Sequence, residues 1–167
     1  MAKAGKGKAE EDGRRSIVRN RRARFDFEVL DVFEAGIELL GPEVKSLRAG
    51  TANLVDSYAA VRRGQIFLHH LHISPYPQAG KANPDPRRDR RLLLHKREIA
   101  KLDGQLGDPG MTLVPLSLYW KEGRCKVELG LARGRKKGDK REAIRERESQ
   151  REVDRAMRKG RRGAGDE

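Results

Sequence analysis

Charged and apolar side chains are segregated along this 167-residue chain, and the segregation limits where a core can form. Residues 1–24 hold nine Lys/Arg against three acids, residues 25–132 hold fifteen against fourteen, and residues 133–167 hold fourteen against eight. The net charges are therefore +6, +1 and +6, so twelve of the thirteen units of net positive charge lie outside the middle. That near-neutral middle carries most of the apolar residues and reads as the folded body, while the ends read as basic extensions. The expected division is a disordered basic extension over 1–16, one domain over 17–132, and a basic tail over 133–167. With only 5% aromatic residues, the core of that domain is modest.

Within the body the dominant period is two. Phe25, Phe27 and Val29 alternate with Asp26 and Glu28, which predicts a strand, and Ile37 and Leu39 predict a second one after a bend at Glu34-Ala35-Gly36. Pro42 to Ala49 has a proline-and-acid start and a glycine stop, predicting a short helix that exposes Lys45 and Arg48 on one side. Leu54–Arg63 and Ile66–Ile73 predict a hairpin turning at Gly64-Gln65. Residues 74–91, broken by four prolines, predict a surface loop edged by Arg87, Arg88, Arg90 and Arg91. An amphipathic helix is expected over Leu92–Leu106. Thr112, Val114, Leu116, Leu118 and Trp120, then Cys125, Val127, Leu129 and Leu131, predict two strands around Lys121-Glu122-Gly123-Arg124. Several antiparallel strands with short helices predict a mainly β fold built as a small closed barrel.

Past Arg133 the apolar content falls away. Ile144, Val153 and Met157 are too sparse for a buried stripe, so the free tail is expected to be mostly unfolded.

Little in the chain points to catalysis. His69, His70, His72 and His95 lack the spacing and the nearby carboxylate of a metal set, so no metal and no cofactor is expected. Cys125 is the single cysteine and shares the core-facing register of Val127 and Leu129, which predicts packing rather than nucleophilic chemistry. It also excludes an internal disulfide, in keeping with a reducing compartment. The stretches Gly5-Lys6-Gly7-Lys8 and Gly134-Arg135-Lys136-Lys137-Gly138 lack the spacing and hydroxyl residue of a nucleotide-binding loop. Neither paired carboxylates nor a Ser/His/Asp arrangement stands out. The N-terminus has no apolar run and nothing later reaches membrane-spanning length, so a cytoplasmic protein without a membrane partner is expected.

Basic arms around a neutral barrel suit a polyanion, since such arms follow a phosphate backbone and release its counterions. Arg22, Arg24, Lys45, Arg48, Arg87, Arg88, Arg90 and Arg91 are the candidate cations for such a polyanion, which the family resemblance below makes RNA. Tyr58, Tyr76 and Tyr119 are open as stacking platforms.

Several segments resemble one family in order. They are Asn20-Arg21-Arg22-Ala23-Arg24, Phe33-Glu34-Ala35-Gly36-Ile37-Glu38-Leu39, Gly41 to Gly50, Asp56-Ser57-Tyr58, Arg91 to Ile99, Leu116 to Lys121, and Asp139-Lys140-Arg141. Together these are similar to the SsrA-binding proteins over about residues 17–158. The resemblance implies an oligonucleotide-binding-type barrel, monomeric when free, that binds the tRNA-like part of transfer-messenger RNA and acts as an adaptor on stalled ribosomes in trans-translation. It implies that Asn20 and Glu34 lie on the RNA side. It further implies that the tail, with Lys136, Lys137, Asp139, Lys140, Arg141 and Ile144, enters the decoding region against ribosomal RNA and becomes helical there. Gly138 departs from the pattern, standing where many members carry a histidine. A general ribosomal or RNA-chaperone protein and, more remotely, an RNA-acting enzyme are the competing classes. A broad co-purifying RNA population would favour the former, and turnover the latter.

Overall fold

The computed structural model describes residues 13–135 and 137–162, with the side chains of 137–140 and 159–162 left aside. The expected extension falls largely on residues 1–12, and Lys136 stands alone; both lie outside the described residues.

Among the described residues, nine strands and four α-helices follow one another, with a short 3-10 segment over Pro77–Ala82. The strands are β1 (Arg14–Arg19), β2 (Phe27–Ile37), β3 (Ala52–Asn53), β4 (Tyr58–Arg62), β5 (Gln65–His69), β6 (His72–Ile73), β7 (Arg90–Leu93), β8 (Met111–Lys121) and β9 (Arg124–Gly134). The helices are α1 (Ala23–Asp26), α2 (Gly41–Arg48), α3 (Lys96–Leu106) and α4 (Lys137–Arg162). Pairing runs β1-β8-β4-β5-β7-β2-β9, and β9 pairs back onto β8. Six antiparallel strands therefore close into a ring, with β1 added on the outer edge of β8, and β3 with β6 forms a separate ribbon. This is the expected mainly β barrel with short helices. Its core is aliphatic, with Ile66, Leu68, Leu113, Leu118, Val127 and Leu129 wholly or almost wholly buried.

Two tight turns set the register. Arg63-Gly64 and Glu122-Gly123 all take positive φ, the mirror-image turn that matches the twist of paired strands. The first lies one residue earlier than the expected Gly64-Gln65, because Arg62 and Gln65 are paired across it.

Four other expectations change. The bend at Glu34-Ala35-Gly36 is absent and β2 runs straight through it. Gly36 serves close approach instead: a Cβ there would meet Leu93 Cβ of β7 at 3.2 Å. Phe25 lies in α1, not in a strand. The segment expected as one helix from Leu92 divides, because Leu92 pairs with both Ile37 and Ile66 and closes the ring as β7 before α3 begins. In β8, the apolar alternation changes face: Val114 and Leu116 pack in an outer cluster with Ala23 and Ala132, while Leu118 enters the main core. Pro115 has no N–H to donate, and the register shifts between it and Ser117, so the bulge turns the strand over. Leu116 then lies across Gly130, where a Cβ would stand 3.2 Å from it.

At the chain ends, β1 begins at Arg14 and so takes in residues expected in the extension. In the tail, α4 runs for 26 residues. Strong helix formers and Glu-to-Arg spacings of three at 142/145, 148/151 and 152/155 favour it locally, and Gln150 hydrogen bonds Asp154 one turn on. Its described side chains are almost all exposed, Ile144 at 37% among them, so a core does not hold it.

Candidate nucleic-acid interface

The register of four neighbouring strands builds one outer face. Glu34 of β2 is paired with Glu128 of β9, Glu128 with Ser117 of β8, and Ser117 with Arg19 of β1. Two carboxylates directly opposite each other repel and need cations between them. Arg14 supplies one, with its guanidinium 3.3 Å from Glu34 and 3.6 Å from Glu128. Lys121 lies 3.4 Å from Glu34, and Arg24 lies 3.9 Å from Glu128. The Arg14 guanidinium also rests 4.8 Å above the ring of Tyr119.

Tyr119 is buried beneath this layer and donates its phenol O–H to Glu34 Oε2. That hydrogen bond is the main cause holding the Glu34 carboxyl below its usual range; burial opposes it, and Lys121 and then Arg14 act with it. Burial, and then the same bond, raise the Tyr119 phenol, so it stays protonated and serves as a donor. Cys125 is buried as its register predicted, and burial pushes its thiol up to about 12, which leaves it neutral.

Asn20 positions the segment above this face. Its Nδ2 donates to the Pro115 carbonyl at 3.1 Å and to the Leu54 carbonyl at 3.5 Å, and its Oδ1 accepts from the Ala23 N–H at 3.2 Å. Both ends of the amide are engaged by the protein, so Asn20 shapes the turn that presents Arg21, Arg22 and Arg24. Beneath α4 a cleft of about 770 Å³ opens, lined on the body by Arg14, Arg19, Asn20, Arg21, Arg24 and Phe25 and on the tail by Ala143 and Arg147. Guanidinium groups beside a ring suit a phosphate backbone with accessible bases.

The other expected cations gather around α2. Lys45 and Arg48 are exposed there, as is Arg87. Arg88 Nε donates to Glu43 Oε1 at 2.5 Å, and Arg91 is paired with Glu38. Arg90 leaves the RNA-contacting set. It is 0% exposed, its Nε donates to Glu43 Oε2 at 2.5 Å, and its remaining nitrogens reach the Leu71, Arg88 and Pro86 carbonyls. Alternation on β7 turns it inward between its outward-leaning neighbours, which a run of arginines in the sequence conceals. Lys137, Asp139 and Lys140 lie on the backbone of α4, with Arg141 exposed near its start.

Sequence reasoning missed Arg14, Lys121 and Glu128 as members of the site, and it held Tyr119 open as a stacking platform where the structure makes it a buried donor to Glu34. The signal for Arg14 was its place two residues before Ser16, in phase along β1, whose start falls in the residues expected as the extension.

A protein-family model described as "SmpB protein" matches residues 17–159. The chain belongs to the SmpB family. An SsrA-binding protein of Frankia casuarinae is 56% identical over 155 residues, covering 93% of this chain and 96% of that one. An SsrA-binding protein of Staphylococcus saprophyticus is 55% identical over 142 residues, covering 85% and 92%. A solved chain described as "tmRNA-SmpB: a journey to the center of the bacterial ribosome" superposes with a TM-score of 0.63 at 50% identity, covering 77% of this chain and 94% of that one. Among the described residues, no helix is long and apolar enough to cross a membrane.

Proposed function

We propose that this SmpB-family chain is an RNA-binding adaptor, not an enzyme, that binds the tRNA-like domain of transfer-messenger RNA and delivers it to stalled ribosomes in trans-translation. The observation that carries this reading is the arginine-lined cleft over the Glu34–Tyr119–Arg14 layer, in a chain 50% identical to one from a tmRNA-SmpB ribosome complex. Exposed cations there and on α2, namely Arg22, Arg24, Lys45, Arg48 and Arg87, contact phosphate, with Arg88 and Arg91 at the edge of the same charged region. Glu34 repels phosphate, so its contact is a 2′-hydroxyl or a base edge, which accounts for selectivity. The protein works in the cytoplasm as a monomer until it meets RNA.

The division of labour follows from the tail's exposure. The barrel holds transfer-messenger RNA, and α4, with Lys136, Lys137, Asp139, Lys140, Arg141 and Ile144, acts in the decoding region, where ribosomal RNA screens its like charges. Because β9 runs to Gly134, the test truncates after Arg135. That protein is expected to keep selective binding of the tRNA-like RNA and to lose peptide tagging on stalled ribosomes. Normal tagging would refute the division; loss of both with a folded barrel by circular dichroism would place the tail in the primary site.

A further inference from the structure

Around the ring β8-β4-β5-β7-β2-β9, the strand opposite β9 is β5. The hairpin that contains it turns a second face outward, remote in topology from the Glu34–Glu128 layer. Cross-strand partners Tyr58 and His69 stack there, with ring centroids 5.0 Å apart and planes inclined by 29°. His70 stands edge-on to the same Tyr58 ring at 5.4 Å. It does so from a φ of 63°, a conformation that residues other than glycine adopt infrequently. His69 Nδ1 lies 2.8 Å from an Asp89 carboxylate oxygen, which fixes the imidazole under the tyrosine. Two pairs along, on the same face of the strand as His69, Phe67 carries the Arg62 guanidinium 5.1 Å above its ring. Tyr58 is nevertheless 40% exposed. Residues 58–69 hold two arginines, Arg62 and Arg63, and no acid.

We propose that this hairpin face is a second RNA-contact surface that takes an unpaired segment, one base stacking on Tyr58 and the adjoining phosphates meeting Arg62 and Arg63. A tyrosine backed by a fixed ring is a preorganised platform, and stacking is tolerant of sequence because every base has a π-face. Tyr58 and Arg62 point the same way four residues apart, about 13 Å along the strand, so the contact spans a short stretch of chain rather than a single nucleotide. The charge favours a polyanion over a basic or neutral protein patch, since the hairpin offers only cations while Asp89 is held by His69, and the exposed stacked ring of Tyr58 favours RNA over an acidic peptide, which has no base to lay on it. The barrel can then hold two RNA segments at once, on opposite sides. This surface stands whichever RNA occupies the β1–β2–β9 face.

The test uses the full chain and a short labelled oligoadenylate, read by fluorescence anisotropy, with and without saturating tRNA-like RNA. Wild-type protein is expected to bind the oligonucleotide in both conditions. Tyr58→Ala is expected to weaken it about tenfold, in line with the loss of one stacked base. Tyr58→Phe should keep the affinity, and neither change should alter binding of the tRNA-like RNA. Arg62→Ala, at an exposed position, provides a second reading if Tyr58→Ala fails to fold. Full displacement of the oligonucleotide by the tRNA-like RNA, or unchanged affinity in folded Tyr58→Ala and Arg62→Ala, would overturn the proposal. Binding of the tRNA-like RNA without any oligonucleotide binding would also overturn it, leaving the proposed adaptor role intact. A photo-crosslinker at Gln65 that captured ribosomal protein instead of RNA on stalled ribosomes would reassign the face to a protein partner.

Discussion

Two glutamates nine residues apart are each held by arginine, and they do different things. Glu43 is 3% exposed and faces Arg90 and Arg88 inside the structure, joining α2 to β7 and, through the Arg90 bonds to Leu71 and Pro86, to the segments on either side. Glu34 has a side chain 32% exposed, shared among Arg14, Lys121 and Tyr119 on the rim of the arginine cleft. The same pair of residue types is a structural tie where water is excluded and a partly open charge network where it is not. Burial of Arg90 depresses its guanidinium pKa from the ordinary value, with the Glu43 bond acting against that desolvation. Glu43 thus stabilises a charge that the fold has already taken out of water.

Removing one partner of that buried pair gives the largest effect. Glu43→Ala should cost about 3–5 kcal/mol, because Arg90 stays buried without its counter-charge. Urea titration should show a lowered midpoint with an unchanged slope. A loss below about 1 kcal/mol, the size of a surface pair, would erase the distinction between the two glutamates.

At the other centre the larger expected effects fall on RNA rather than on folding. Glu34→Ala should weaken tRNA-like RNA by about 1–3 kcal/mol, the size of a lost hydrogen bond to a charged group, while leaving the salt dependence unchanged. Arg87→Ala should instead reduce the slope of log affinity against log salt by roughly 0.7–0.9, the contribution of one phosphate contact. Arg90→Ala should destabilise the protein without a comparable slope change. Titrations at several salt concentrations separate the three. An Arg90 slope effect in folded protein would show that burial does not remove it from the interface.

Much of the barrel was legible beforehand because period-two alternation and two-residue turns are local signals. The hairpin from Met111 to Gly134 and the helix at 41–48 follow from them directly. Where the reading failed, long-range pairing decided. Leu92 belongs to a strand because Ile37 and Ile66 flank it, and Gly36 is required by Leu93 rather than by a bend. Pro115 signalled a missing donor, but which face its bulge would hand to Leu116 depends on the Ala23 and Ala132 that pack there. The site was legible at Arg22, Arg24 and Glu34, whose motifs are contiguous. It was hidden at Arg14 and Glu128, which meet only once β1, β8 and β9 are aligned, and misleading at Arg90, whose inward direction is set by the β5–β7 register.

The smallest expected effect isolates charge at the open centre. Glu34→Gln keeps an acceptor for the Tyr119 O–H and removes only the negative charge facing Arg14 and Lys121. Because the Glu34 pKa is lowered in the folded protein from an ordinary 4.5, the unfolded chain binds its proton more readily as pH falls. Its contribution to stability is therefore complete above the unfolded value and lost as pH drops through the folded one. A third of the side chain meets water, so at neutral pH the substitution should cost no more than about 1 kcal/mol. That gap should narrow below pH 4.5 and close once the wild-type carboxyl is itself protonated. Urea midpoints for both proteins across the acid range supply the measurement. A gap that stays constant through that range would assign the loss to packing or to the altered Tyr119 bond, and would remove charge from the account of how Glu34 is held.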